Sequence, residues 1–126
     1  MLDYGCGNST LIDKLPQEER YRYDPAIEKY NTQPDPKDVD VVLCTDVLEH
    51  VPEEAIDDVL RDIKRFSDKA LFVISMREAA AKLPNGENAH ITVQGKHWWM
   101  DRLAKVFSEV YKVDRDRPGL LFLRTY

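Results

Sequence analysis

Leu2-Asp3-Tyr4-Gly5-Cys6-Gly7-Asn8-Ser9-Thr10 decides the fold, because an apolar strand end here runs straight into two closely spaced glycines. Glycines at such a junction permit a tight turn and let a ligand lie against bare backbone. The spacing is Gly-x-Gly-x-x-Thr. A nicotinamide fingerprint needs Gly or Ala where Thr10 stands, and the P-loop is excluded because no Gly-Lys-Ser/Thr follows. The preceding acid, Asp3, repels a pyrophosphate but suits a ligand whose amino-acid end is an ammonium.

Outward from this stretch, short β-like runs alternate with amphipathic helical ones, the pattern of an α/β domain. Met1 to Tyr4 reads as the tail of a strand. Ser9 to Leu15 reads as a short helix capped by Asn8 or Ser9. Arg20 to Tyr23 is a second short strand, Ala26 to Tyr30 one or two helical turns, and Asn31 to Asp38 a polar stretch with prolines. The β-branched run Val39 to Cys44 suits a parallel strand buried on both faces.

From Pro52 to Phe66, Ile56, Val59, Leu60, Ile63 and Phe66 fall on one stripe, with Glu53 and Glu54 at the positive end of the helix dipole and Lys64 and Arg65 at the other. Ala70 to Ser75 is another buried strand. A turn at Pro84-Asn85-Gly86 precedes a helix from His97 to Phe107 that packs Trp99, Leu103 and Val106 inward. Glu109 to Asp114 and Leu120 to Tyr126 bracket Pro118-Gly119 as an antiparallel hairpin.

The acid before the glycines favours S-adenosylmethionine over NAD. Asp24 ends the second strand roughly 20 residues on, where a Rossmann-like site places a carboxylate for the two ribose hydroxyls of an adenosine. Bland readings stand beside both: Asp3 as an ordinary strand-ending acid, and Asp24-Pro25 as a turn initiator.

On these residues the sequence resembles the class I S-adenosylmethionine-dependent methyltransferases, most closely their ubiquinone and small-molecule branch. Leu2 to Thr10 is similar to the family's first motif and Tyr23-Asp24-Pro25 to its ribose-binding acid. Val39 to Val51, with Leu48-Glu49-His50, is similar to its fourth strand and following loop. The resemblance is clear to about Phe72 and rests on topology beyond.

It implies a mostly parallel Rossmann-like sheet ending in an antiparallel hairpin. The stretch between Asp24 and Val39 is so short that the third strand is expected to be rudimentary or missing. The cofactor site it implies comprises Asp3, Tyr4, Gly5, Cys6, Gly7, Asp24, Pro25, Thr45, Asp46 and Val47. The short linker names no adenine-binding acid, which leaves Asp46 as the candidate. Met1 stands inside the first strand, so the helices that cover substrate in the family are expected to be absent, and a second copy of the chain to supply some cover.

On the acceptor side, His50 and His90 fall on loops at the carboxyl ends of strands, where open α/β sheets bind ligands. A neutral imidazole there takes a proton from a hydroxyl or amine. Equally, His50 caps the helix that begins at Pro52, and His90 is a surface loop residue. Trp98 is the more exposed of the Trp98-Trp99 pair and a candidate wall for a planar substrate. Asp46, Glu49 and His50 also resemble the arrangement that carries a divalent metal in some quinone O-methyltransferases. Leu-Glu-His occurs as well in branches without one, and no metal is assigned.

The 126 residues allow one domain, residues 1–126, and 43% are apolar, which is ordinary for a globular chain. No apolar run approaches the ~20 residues of a membrane span. No secretory signal is readable at the N-terminus, which leads to a cytoplasmic expectation. Cys6 and Cys44 are too few for a disulfide framework. A net charge of −5 disfavours a polynucleotide acceptor, and the Asn/Asp-Pro-Pro-Tyr/Phe run of amino-methylating DNA enzymes is absent. The expected function is methyl transfer to an oxygen or nitrogen of a small or medium-sized acceptor, yielding S-adenosylhomocysteine. A non-catalytic cofactor-binding or activator subunit, and an RNA or DNA methyltransferase, are the alternatives; a homodimer is the expected assembly.

Overall fold

The computed structural model describes all 126 residues. Its centre is a six-stranded sheet in the order β2-β1-β3-β4-β6-β5, formed by β1 (Leu2–Tyr4), β2 (Tyr21–Tyr23), β3 (Val42–Thr45), β4 (Ala70–Ser75), β5 (Tyr111–Lys112) and β6 (Leu120–Arg124). The first four strands run parallel, with Asp3 opposite both Arg22 and Leu43, and Thr45 opposite Val73. β6 pairs antiparallel with β4 and with β5. No strand lies outside β2, so the third strand of the expected pattern is missing, and Asn31 to Asp38 holds only a 3-10 turn at Pro36–Asp38.

Helices α1 (Glu53–Phe66) and α2 (Lys96–Ala104) are linked by an ion pair of Arg102 with Asp57 at 3.2 Å. The apolar stripe of α1 buries Ile56, Leu60, Ile63 and Phe66 against Leu2, Val42, Phe72 and Ile74 of the sheet. This face holds most of the core, with Trp99, Leu103 and Phe107 extending it from the α2 segment. On the other face Leu71 and Val73 of β4 and Leu120 and Phe122 of β6 remain half-exposed.

Two local expectations give way. Ser9 to Leu15 forms no α-helix, only a 3-10 turn at Leu11–Lys14. Ile12 alone reaches the core, so no apolar stripe repays the cost of nucleating a helix. Ser9 Oγ instead accepts the Leu11 N–H at 3.1 Å in a local turn. The last helix stops at Ala104, and beyond it Leu103 O accepts from both Val106 N–H at 3.0 Å and Phe107 N–H at 2.8 Å in a closing turn that leaves the Phe107 ring buried.

Strand order reverses between β1 and β3: the chain builds outward from β1 to β2 on one side and from β3 to β4 on the other. The carboxyl ends of β1 and β3 meet there, and the crevice outside such a switch point is where open α/β sheets take ligands.

Candidate active site

At that crevice lies a cleft of about 520 Å³, within the roughly 300–1,000 Å³ range of small-ligand sites. Its lining comes from four places: Tyr4, Gly5 and Gly7 at the end of β1; Asp24, Pro25 and Ala26 after β2; Asp46, Val47, His50 and Val51 after β3; and Val59 of α1.

The glycine loop is shaped by backbone geometry. Gly5 and Gly7 have φ of 72° and 50°, in the left-handed region that favours glycine. The Gly5 and Cys6 N–H groups both donate to Tyr23 O, at 2.7 and 3.2 Å, which ties the loop to β2. A Cβ on Gly5 would sit 2.5 Å from Val47 Cγ2, so the β1 and β3 loops close on each other only because Gly5 has no side chain. A Cβ on Gly7 would meet nothing within 4 Å.

Asp24 locks the loop from the other side. Its Oδ2 accepts from Gly7 N–H at 2.8 Å and its Oδ1 from Ala26 N–H at 2.9 Å. Each carboxylate oxygen keeps a second lone pair, so Asp24 can still accept two hydroxyl donors from a ligand. Asp46, at φ 57°, is the second acid of the cleft, held by its N–H to Val73 O at 3.0 Å.

Asp3 is not part of the lining. Adjacent strand residues point to opposite faces. Tyr4 therefore reaches the α1 side, donating its hydroxyl to Asp62 Oδ2 at 2.7 Å, while Asp3 turns to the other side beside Arg22 and Asp13. It is 2% exposed, and its Oδ2 has no hydrogen-bond partner. Burial pushes its pKa up to about 6, against the opposing pull of the Arg22 guanidinium. Cys6 and Thr45 likewise stand outside the lining.

The two histidines come together although they stand 40 positions apart in the sequence. Their rings meet edge to face with centroids 4.8 Å apart. His50 Nδ1 lies 2.8 Å from Ala89 O and His90 Nδ1 2.5 Å from Arg77 O. A carbonyl only accepts, so each Nδ1 is the donor, and in a neutral imidazole that tautomer leaves the lone pair on Nε2. His50 lines the cleft; His90 stands behind it in a neighbouring acidic recess with Glu53, Glu78 and Glu87.

The loop that carries His90 is built around Asn88, whose Oδ1 accepts from Ala79 N–H and His90 N–H and whose Nδ2 donates to Ala79 O. Thr92 ties it to the β3 loop, through its N–H to Glu49 O at 3.0 Å and its hydroxyl to Val51 O at 2.7 Å. Sequence reasoning missed Asn88 and Thr92, as it did Ala26, Val51 and Val59. Val59 alone had a readable signal, lying at the flank of the α1 apolar stripe. Trp98 is half-buried under Arg102 and lines none of the cleft.

Glu49 is fully buried, its Oε1 accepting from Ser75 N–H at 2.8 Å. Burial raises its pKa, and the adjacent Asp46 carboxylate raises it further. No three His, Cys, Asp or Glu side chains are grouped to hold a metal ion.

A doubly connected α/β sheet with a glycine- and acid-lined crevice at its switch point defines a Rossmann-like small-ligand domain. The chain belongs to the methyltransferase domain family, whose model matches residues 1–114. The fold is shared with DhpI in its complex with SAH, at 16% identity and a TM-score of 0.68, covering 98% of this chain and 74% of that one. It is shared also with the SAH-bound N-terminal domain of EvdMO1, at 15% identity and a TM-score of 0.57, covering 98% and 71%. No curated protein matches significantly. No helix is long and apolar enough to cross a membrane.

Proposed function

We propose that this domain binds S-adenosylmethionine in the β1–β3 cleft and transfers its methyl group to an oxygen or nitrogen of a small or medium-sized acceptor. The observation that carries the reading is the charge of the lining: two carboxylates, Asp24 and Asp46, and no lysine or arginine. Such a cleft repels a pyrophosphate and attracts a ligand with a sulfonium and an ammonium. SAH in the two structural neighbours is consistent with the same choice.

Asp24 accepts the ribose hydroxyls with the lone pairs that Gly7 and Ala26 leave free. The open space beside Gly7 lets the ligand lie along the loop backbone. Asp46 faces the cationic end, while Asp3 adds negative potential from beneath the loop without touching the ligand. Tyr4, Val47, Val51 and Val59 supply the apolar walls that keep water from the sulfonium. Bound S-adenosylmethionine supplies an electrophilic methyl group, and S-adenosylhomocysteine is what remains.

Alignment of the acceptor with that methyl group provides most of the rate. His50 Nε2 takes the proton that the acceptor hydroxyl or ammonium releases, because the Ala89 carbonyl fixes the required tautomer. His90 buttresses the His50 ring. The test is calorimetry with S-adenosylmethionine on wild type and Asp24→Ala. Loss of the charge-assisted ribose bonds weakens binding by about 1.5–3 kcal/mol, or roughly 10- to 150-fold. Unchanged affinity would place the cofactor elsewhere.

A further inference from the structure

Glu49 is the one carboxyl of the β3 loop that faces away from the cleft, and it is 0% exposed. Three connections meet on this residue. Its Oε1 accepts from Ser75 N–H at the end of β4, its main-chain oxygen accepts from Thr92 N–H of the histidine loop, and its carboxyl lies within hydrogen-bond reach of Asp46. No fixed donor reaches Oε2. A buried oxygen without a donor is costly, and this one gains a partner when the carboxyl carries a proton and gives it to the neighbouring Asp46 carboxylate.

We propose that Glu49 is a positioning residue of the methyl-transfer site: its neutral carboxyl accepts from Ser75 and donates to Asp46, holding the Asp46 carboxylate in place on the cleft wall. Asp46 stands at φ 57°, in the left-handed region that aspartate tolerates better than most residues but that is still uncommon, so a bond to its side chain fixes where the carboxylate lies. The other titratable group facing Glu49 is Cys44 of β3, whose thiol burial holds protonated. Ser75 and Thr92 face it from β4 and the histidine loop with neutral N–H groups. This inference rests on the cleft being the cofactor site, as proposed above.

The test compares Glu49→Gln, Glu49→Leu and Asp24→Ala in the intact chain, with S-adenosylhomocysteine as calorimetric probe and thermal melting as the control for folding. The carboxamide of Glu49→Gln keeps both bonds, so it binds within about twofold of wild type, while Glu49→Leu fills the same space without them and binds about tenfold more weakly. In an Asp46→Ala background Glu49→Leu has no further effect, a result that a purely structural role would not produce. Tight binding by Glu49→Leu, or Glu49→Gln as weak as Glu49→Leu, overturns the proposal. Should Glu49→Leu not melt cooperatively, Glu49→Gln decides alone, and a tenfold loss in it counts against the proposal. If Asp24→Ala leaves binding unchanged, the cleft reading itself has failed; if Asp24→Ala weakens binding and Glu49→Leu does not, only the role of Glu49 has.

Discussion

Gly5→Ala and Gly7→Ala look alike in the motif, and the structure sets them apart. Both place a methyl group on left-handed backbone, a strain of about 1–2 kcal/mol for an L-residue. The stiffer unfolded chain returns about 0.4–1 kcal/mol of that. Gly7→Ala meets open space, so its net cost is about 1 kcal/mol. Gly5→Ala meets Val47 Cγ2 at 2.5 Å, Cγ1 at 2.9 Å and Cβ at 3.3 Å.

Carbon atoms in good contact sit about 3.5–4.0 Å apart, so Val47 must retreat by about 1 Å. Its branched side chain has no freely swinging end with which to do so. Overpacking of this kind costs about 1–3 kcal/mol, which brings Gly5→Ala to about 2–4 kcal/mol. Urea denaturation of the two variants measures the difference, which also corresponds to a melting temperature lower by about 4 °C per kcal/mol for a chain of this size. A double-mutant cycle with Val47→Ala isolates the contact: Val47→Ala recovers at least about 1 kcal/mol in the Gly5→Ala background and nothing in the Gly7→Ala background. Equal destabilisation by the two alanines, or strict additivity with Val47→Ala, would refute the reasoning.

The buried Asp3 has a pKa raised from 3.8 to about 6, so the folded chain holds this proton more tightly than the unfolded one. Its contribution to stability is therefore greatest below about pH 4 and is lost as pH rises to about 6, by about 3 kcal/mol at most. Asp3→Asn is expected to match wild type near pH 4 and exceed it at pH 8 in urea midpoints, and an advantage independent of pH would contradict this. His50→Gln is expected to lower kcat by about 10²-fold or more with little change in the KM for S-adenosylmethionine, whereas equal kcat values across the pH range would remove the histidine from proton transfer. Asn88→Ala deletes three hydrogen bonds of the histidine loop and should cost about 1–2 kcal/mol; faster proteolytic cleavage between β4 and α2 is the readout, and unchanged cleavage would mean that the loop is held by other contacts.

Periodicity and composition were enough to place every strand and both α-helices within a few residues, because each buries one face or one stripe and the apolar pattern records which. The glycine pair and Asp24 were legible for a related reason: turn geometry and strand ends are local, and their demands on residue type are strong. The helix expected after the glycine loop failed because whether Ser9 to Leu15 repays nucleation depends on how many side chains find a core, which its own sequence does not state. Strand alternation likewise sets Asp3 on the face of the sheet opposite Tyr4, and what it meets there is not written in its own segment.

What the sequence by itself determined is the α/β class, the strand-to-glycine turn and the acid that follows the second strand, all set within short spans of chain. What only the tertiary structure decided is which acids share the cleft, that Val47 closes over Gly5, that the buried Glu49 carboxyl accepts from Ser75, and that His50 and His90 touch. These are meetings between residues far apart in the chain. They depend on sheet order and on the path of one long loop, and no local pattern encodes either.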